Sequence, residues 1–190
     1  MISFPTSELL SKKELPTHVS CALLADLLQK NRWFMATAES CTGGLIAAAC
    51  TELSGSSAWF ERGFVTYSNA AKTELLGVEA ALIASEGAVS ELVARAMVAG
   101  ALRQSQAQVA VAVTGVAGPT GGSALKPVGM VWFGFALPGQ LISEVRHFDG
   151  DRAAVRQATL QHALQRLVEL VKLVQVVGQT TLVKPAQPQD

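Results

Sequence analysis

Two hydrophobic periods alternate along this chain, and each change of period marks an element. Over residues 19–30, Leu23, Leu24, Leu27 and Leu28 recur at helical spacing and predict an amphipathic helix. Residues 33–38 are a short continuous apolar run, the pattern of a buried strand. Gly43 and Gly44 then open a small-residue stretch, 45–53, which reads as a helix packed closely on a sheet. Residues 59–67, rich in aromatic and β-branched side chains, predict a second strand. Residues 70–76 and 79–84 predict short helices, with Gly77 as a stop and Asn69 placed to cap the first. Ser90 followed by Glu91 starts a longer predicted helix through Arg103, and 108–114 reads as the clearest strand. Residues 128–137 and 141–148 predict a hairpin about Pro138-Gly139. Over 151–174, Val155, Leu160, Leu164, Leu167 and either Leu170 or Val171 define the buried side of a long helix.

Strands alternating with helices imply an α/β fold: a three-layer α/β/α sandwich around a mixed, mostly parallel sheet, with a C-terminal hairpin strand pair. One domain over residues 17–175 is expected to hold the whole pattern. Residues 1–16 read as an irregular arm and 176–190, with Pro185 and Pro188, as a frayed tail.

Composition narrows the function classes. The chain has 190 residues, 49% hydrophobic, enough for one domain with a full core. Fifteen basic residues balance fifteen acidic ones, so nothing draws it generally to nucleic acid, and none is expected as a partner. No apolar run approaches the roughly 20 residues that span a bilayer, so no membrane association is expected. Three cysteines, Cys21, Cys41 and Cys50, form no paired framework. With no secretory pattern at the N-terminus, a cytoplasmic location is the expectation.

Ala38-Glu39-Ser40-Cys41-Thr42-Gly43-Gly44 lies between the first strand and a helix. Helix N-termini carry unpaired N–H groups with partial positive charge. A hydroxyl placed there can attack a carbonyl while such groups hold the oxyanion. Equally, Ser40 or Thr42 can simply cap the helix, with Glu39 a charge at its start. Cys41 is a rival nucleophile. A serine nucleophile needs a base. His18 lies in the arm and His162 in the last helix, which leaves His147 or a lysine. A buried lysine loses its proton more readily, because desolvation disfavours the charged form. Lys72 is the best placed, following Tyr67, the only tyrosine, and Asn69.

Two further segments carry possible binding chemistry. Thr114 and Gly115 open a glycine-rich loop after the clearest strand, at the kind of strand end where α/β sheets bind ligands. Asp151 can cap the last helix, while Arg152 presents a planar fork suited to a phosphate or carboxylate, with Arg156 one turn on. An ion pair between Arg152 and Asp149 or Asp151 is the alternative. No two histidines share metal-ligand spacing, so no metal is expected.

Taken together, these segments resemble the C-terminal domain family of CinA, the competence/damage-inducible protein. The matching motifs are AESCTGG at 38–44, GSSAWFERGFVTYSNAAK at 55–72, LLGV at 75–78, GAVS at 87–90, TGVAGPTGGS at 114–123, KPVG at 126–129 and GDR at 150–152. The resemblance implies a Ser–Lys dyad of Ser40 and Lys72, assisted by Tyr67. It implies substrate contacts from Thr42, Gly43, Gly44, Asn69, Thr114 and Gly115, and a phosphate contact from Arg152. The implied reaction converts nicotinamide mononucleotide and water to nicotinate mononucleotide and ammonia, a step of pyridine nucleotide salvage, with no cofactor. A homodimer or larger homo-oligomer is also implied. Larger family members carry a second, N-terminal domain for which this length leaves no room, so a free-standing enzyme is expected. An inactive nucleotide-binding or regulatory module, or an amidase for another carboxamide, remains open on the same motifs.

Overall fold

The computed structural model describes residues 15–180. The elements run α1 (Thr17–Asn31), β1 (Met35–Glu39), α2 (Leu45–Thr51), β2 (Phe60–Val65), α3 (Asn69–Leu76), α4 (Ala80–Glu86), α5 (Glu91–Arg103), β3 (Val109–Gly115), β4 (Met130–Leu137), β5 (Gln140–His147) and α6 (Arg152–Thr180), with a 3-10 turn at Ser56–Ala58. The five strands form one mixed sheet in the order β2-β1-β3-β4-β5. β1 pairs in parallel with both β2 and β3, whereas β3–β4 and β4–β5 are antiparallel. Parallel and antiparallel pairings are therefore equal in number, and the parallel ones are confined to the half of the sheet that includes β1.

The two faces of the sheet differ in side-chain size. Met35, Val109, Val111, Val113, Phe133 and Phe135 point to the layer of α1, α2 and α6. Ala36, Ala38, Ala110, Ala112 and Ala136 point to the layer of α3, α4 and α5. Alternating large and small residues along one strand thus sets a thick interface on one face and a close one on the other. The closeness is measurable at Gly134, where an added Cβ would lie 2.6 Å from the Ala94 carbonyl oxygen of α5.

Local signals account for several boundaries. The Ser90 hydroxyl accepts from the Val93 amide and caps α5. Asp151 Oδ1 accepts from the Ala154 amide, capping α6 as its sequence suggests. Leu137 pairs with Gln140, so Pro138-Gly139 is a two-residue hairpin loop. α3 departs from expectation: Ser68, and not Asn69, supplies its cap, accepting from the Ala71 amide at 3.0 Å. Asn69 is already the first helical residue. α6 also runs to Thr180, into the stretch read as tail. The expectations for residues 1–14 and 181–190 lie outside the described residues. No helix among the described residues is long and apolar enough to cross a membrane.

Candidate active site

The switch point of the sheet lies between the adjacent parallel strands β1 and β2. The link from β1 to β2 passes through α2 on one face, and the link from β2 to β3 passes through α3, α4 and α5 on the other. Chains that leave two adjacent strands toward opposite faces open a crevice at the carboxyl end of the pair. Ser40 is the first residue beyond β1. The neighbouring strand ends deliver Tyr67, Asn69 and Lys72 after β2, and Thr114 and Gly115 from β3. These residues, with Cys41, Ala88, Val89, Ala117 and Arg152, line a cleft of about 180 Å³.

Lys72 is 1% exposed although it lies in the first turn of a surface helix. Its Nζ is 3.1 Å from Ser40 Oγ, 2.8 Å from the Thr66 carbonyl oxygen and 3.4 Å from that of Tyr67. Burial, the larger cause, pushes its ammonium below the ordinary lysine range, and charge on Cys41 acts the other way. As the ammonium, Nζ donates to all three oxygens; as the neutral amine it keeps its two N–H bonds to the carbonyls and turns its lone pair to the Ser40 hydroxyl. Among the described residues no ion pair holds Lys72 in the charged form.

The rival base and nucleophile fall in different places. His147 is exposed at the end of β5, three strands from β1, or about 14 Å at the usual strand spacing. His162 bonds to Glu144 and packs edge-on against Phe133, a structural role. His18 is exposed on α1. Cys41 lines the cleft, but burial pushes its thiol up to about 12. It is therefore a protonated thiol at neutral pH.

The loop after Ser40 is built differently from the expectation. Its chain reverses through Gly43 and Gly44, at φ of +63° and +98°, which L side chains rarely adopt. Their amides are not free for an oxyanion: Gly43 N–H donates to the Ser40 carbonyl and Gly44 N–H to the Glu39 carboxylate. Neither Ser40 nor Thr42 caps α2. The Glu39 carboxylate does, accepting from the amides of Gly44, Ile46 and Ala47. It also accepts from the hydroxyls of Thr37 and Thr42. The Thr42 hydroxyl thus points to Glu39, and Thr42, Gly43 and Gly44 do not line the cleft.

At the cleft mouth, Arg152 donates to the Tyr67 hydroxyl at 3.0 Å and to the Gly118 carbonyl at 3.1 Å. Neither Asp149 nor Asp151 forms an ion pair with it among the described residues. Beyond Arg152 and Ala117 lies a second cavity of about 620 Å³, also lined by Arg156. Arg156 Nη2 donates to the Thr42 carbonyl at 2.7 Å, while its buried Nε has no partner among the described residues. Thr114, 1% exposed, donates its hydroxyl to the Ala88 carbonyl at 2.7 Å.

The nicotinamide-nucleotide amidohydrolase PncC of Enterobacter agglomerans is 53% identical over 161 residues, covering 84% of this chain and 95% of that protein. The protein of the same name from Pseudomonas putida is 54% identical over 147 residues, covering 77% of this chain and 92% of the other. The crystal structure of the competence/damage inducible protein CihA from Agrobacterium tumefaciens superposes with a TM-score of 0.79 at 43% identity, covering 90% of this chain and 99% of that one. The CinA C-terminal domain profile matches residues 19–171, which takes in every strand and all the cleft residues. On that match and these relatives, the chain belongs to the CinA C-terminal domain family.

Proposed function

We propose that the protein is an amidohydrolase that converts nicotinamide mononucleotide to nicotinate mononucleotide and ammonia, as the names of its relatives describe for them. The observation that carries the reading is a buried, desolvated Lys72 in contact with Ser40. Neutral Lys72 takes the Ser40 proton as Oγ attacks the carboxamide carbon. The carbonyl π electrons move to oxygen as the tetrahedral intermediate forms. Protonated Lys72 then gives its proton to the departing nitrogen, and the C–N bond breaks to release ammonia. Water, deprotonated by Lys72, attacks the acyl-serine and frees the carboxylic acid and the Ser40 hydroxyl.

Cavity size supports a nucleotide. At about 180 Å³ the cleft alone is smaller than the roughly 300–1,000 Å³ of typical ligand pockets. Ala117 and Arg152 also line the neighbouring cavity of about 620 Å³, which is large enough for a sugar phosphate. The ring carboxamide then lies at Ser40 and the phosphate near Arg152 or Arg156. Tyr67 holds Arg152 in place across the mouth, and the Asn69 side chain and the Thr114 and Gly115 strand end complete the ring site. Such a reaction places the protein in pyridine nucleotide salvage, and three free, buried cysteines suit a cytoplasmic setting.

The test is direct. Full-length protein incubated with nicotinamide mononucleotide should release ammonia and the acid nucleotide in equal amounts, followed by chromatography and an ammonia assay. Saturable binding without turnover would replace the enzyme with a nucleotide-binding module. Faster turnover of an unphosphorylated carboxamide would assign a different substrate.

A further inference from the structure

We infer that Glu39 is a positioning residue for the nucleophile, holding the turn after Ser40 so that Oγ meets Lys72. The inference rests on the amidohydrolase reading only for its turnover assay. Glu39 ends β1 and is fully buried, one bond from Ser40 in the chain. Its Oε1 accepts from Thr37 Oγ1 at 3.2 Å and the Ala47 amide at 2.8 Å. Its Oε2 accepts from Thr42 Oγ1 at 2.7 Å and from the amides of Gly44 and Ile46 at 3.0 and 3.1 Å. Five donors on two oxygens exhaust what a carboxylate can accept.

These bonds do more than stop a helix end from fraying. α2 has seven residues and no capping side chain from its own N-cap, Gly44. A carboxylate reaching from the strand supplies that cap and complements the helix dipole. The same oxygen that binds Gly44 and Ile46 also binds Thr42, inside the turn that carries the nucleophile. Ser40 is thereby fixed from both sides. Its own amide donates to the Val113 carbonyl of β3 at 3.0 Å, and the turn that follows is tied to Glu39. The Lys72–Ser40 distance of 3.1 Å depends on both attachments.

The mechanism gives Glu39 no proton to move, so its effect must appear through Ser40. Glu39→Gln keeps the shape but puts an NH₂ where one oxygen stood. In either orientation at least one α2 amide then faces a donor. Misplacement by about 1 Å can cost about a hundredfold in rate. We expect Glu39→Gln to lower kcat about a hundredfold and leave KM for nicotinamide mononucleotide within about twofold. Val109→Ala, in the core at the opposite end of the sheet, serves as a control that loses thermal stability while keeping kcat. A fluorophosphonate probe, read by intact mass, reports Ser40 reactivity without any assumed substrate, and labelling should slow in Glu39→Gln as kcat does. If Glu39→Gln fails to fold, Thr42→Val removes a single donor and should lower kcat and labelling by a smaller factor. Lower Tm in Glu39→Gln with wild-type kcat and labelling would reduce Glu39 to a helix cap and overturn the inference. Slower labelling in a protein whose wild type leaves nicotinamide mononucleotide intact would reject the substrate and keep the positioning role.

Discussion

The cleft at Ser40 and the cavity beside Arg156 share a wall, yet their polar groups are held in opposite ways. In the cleft, Lys72 and Ser40 are locked by protein partners at hydrogen-bond distance, and behind it Glu39 holds the turn through Thr42 and Gly44. In the cavity, two guanidinium groups rest, among the described residues, on neutral acceptors: a phenol oxygen and two backbone carbonyls. Groups that react must be placed before the substrate arrives, because reorganising them during the reaction costs rate. Groups that bind an anion gain by keeping their charge uncompensated until the ligand brings its own. The first region is built for chemistry and the second for recognition, with Arg152 belonging to the boundary.

The sharpest way to break this division is at the dyad. Ser40→Ala and Lys72→Met should each lower kcat by on the order of 10⁴-fold or more, since members of one catalytic unit fail together. The double variant should be little worse than either single one. Lys72→Met fills the space with an apolar chain, so a folded, inactive protein is expected by circular dichroism. The pH profile carries the sign of the mechanism. The active form of Lys72 is the free amine, so kcat/KM should rise with pH as the ammonium loses its proton and then level off. Burial lowers that pKa, so the rise should lie below the range of an exposed lysine. A rise confined to the ordinary lysine range would contradict the desolvated base.

The recognition half is tested by comparing nicotinamide mononucleotide with nicotinamide riboside, which lacks the phosphate. Arg152→Ala should lower kcat/KM for the nucleotide by about one to two orders of magnitude, from a charge-assisted contact of roughly 1.5–3 kcal/mol. The riboside should be affected much less. Arg152→Lys should recover only part, because an ammonium lacks the planar fork. An equal drop for both substrates would make Arg152 a strap between Tyr67 and Gly118 and leave Arg156 as the anion site.

The two regions also differed in how far they could be read from sequence. Features set by neighbours in the chain were legible: the Ser90 and Asp151 caps, the Pro138-Gly139 loop and the stop at Gly77. Ser40, Lys72, Tyr67, Asn69, Thr114, Gly115 and Arg152 all line one cleft, whereas Thr42, Gly43 and Gly44, expected beside them, do not. Glu39 was not legible as a cap. Its partners lie up to eight residues ahead, and its carboxylate reaches them only because the turn at Gly43 and Gly44 folds the chain back. The same fold turns Thr42 inward, which no local pattern signals. Asn69 lost its capping role to Ser68, one residue earlier, a difference of register that two residues of similar capping strength do not resolve. Arg156 reaches Thr42 across 114 positions of chain, a contact that only the packing of α6 against the nucleophile loop creates.

The smallest expected effect is at Cys41, where the division is tested from inside the cleft. Cys41 touches the same space as Ser40 and is adjacent to it, so it is the nearest alternative nucleophile. Its thiol is 6% exposed and pushed up to about 12, chiefly by burial, with the Glu39 charge adding in the same direction. Below that pH the thiolate is a small minority species and a poor competitor for the carboxamide. Cys41→Ala should therefore keep kcat within about threefold of wild type, an allowance for slight loosening around the missing sulfur. Losing that buried sulfur should lower stability by about 1 kcal/mol, read as a modest fall in Tm. Alkylating reagents should modify the folded protein slowly, and the rate of any modification should not follow the loss of activity. A folded Cys41→Ala protein without activity, together with a substrate-derived adduct on the wild-type sulfur, would move the nucleophile by one residue. It would also leave the Lys72 contact with Ser40 without a catalytic purpose, because a lysine base suits a serine hydroxyl that cannot ionise alone, whereas a thiol needs its own pKa lowered and here has it raised.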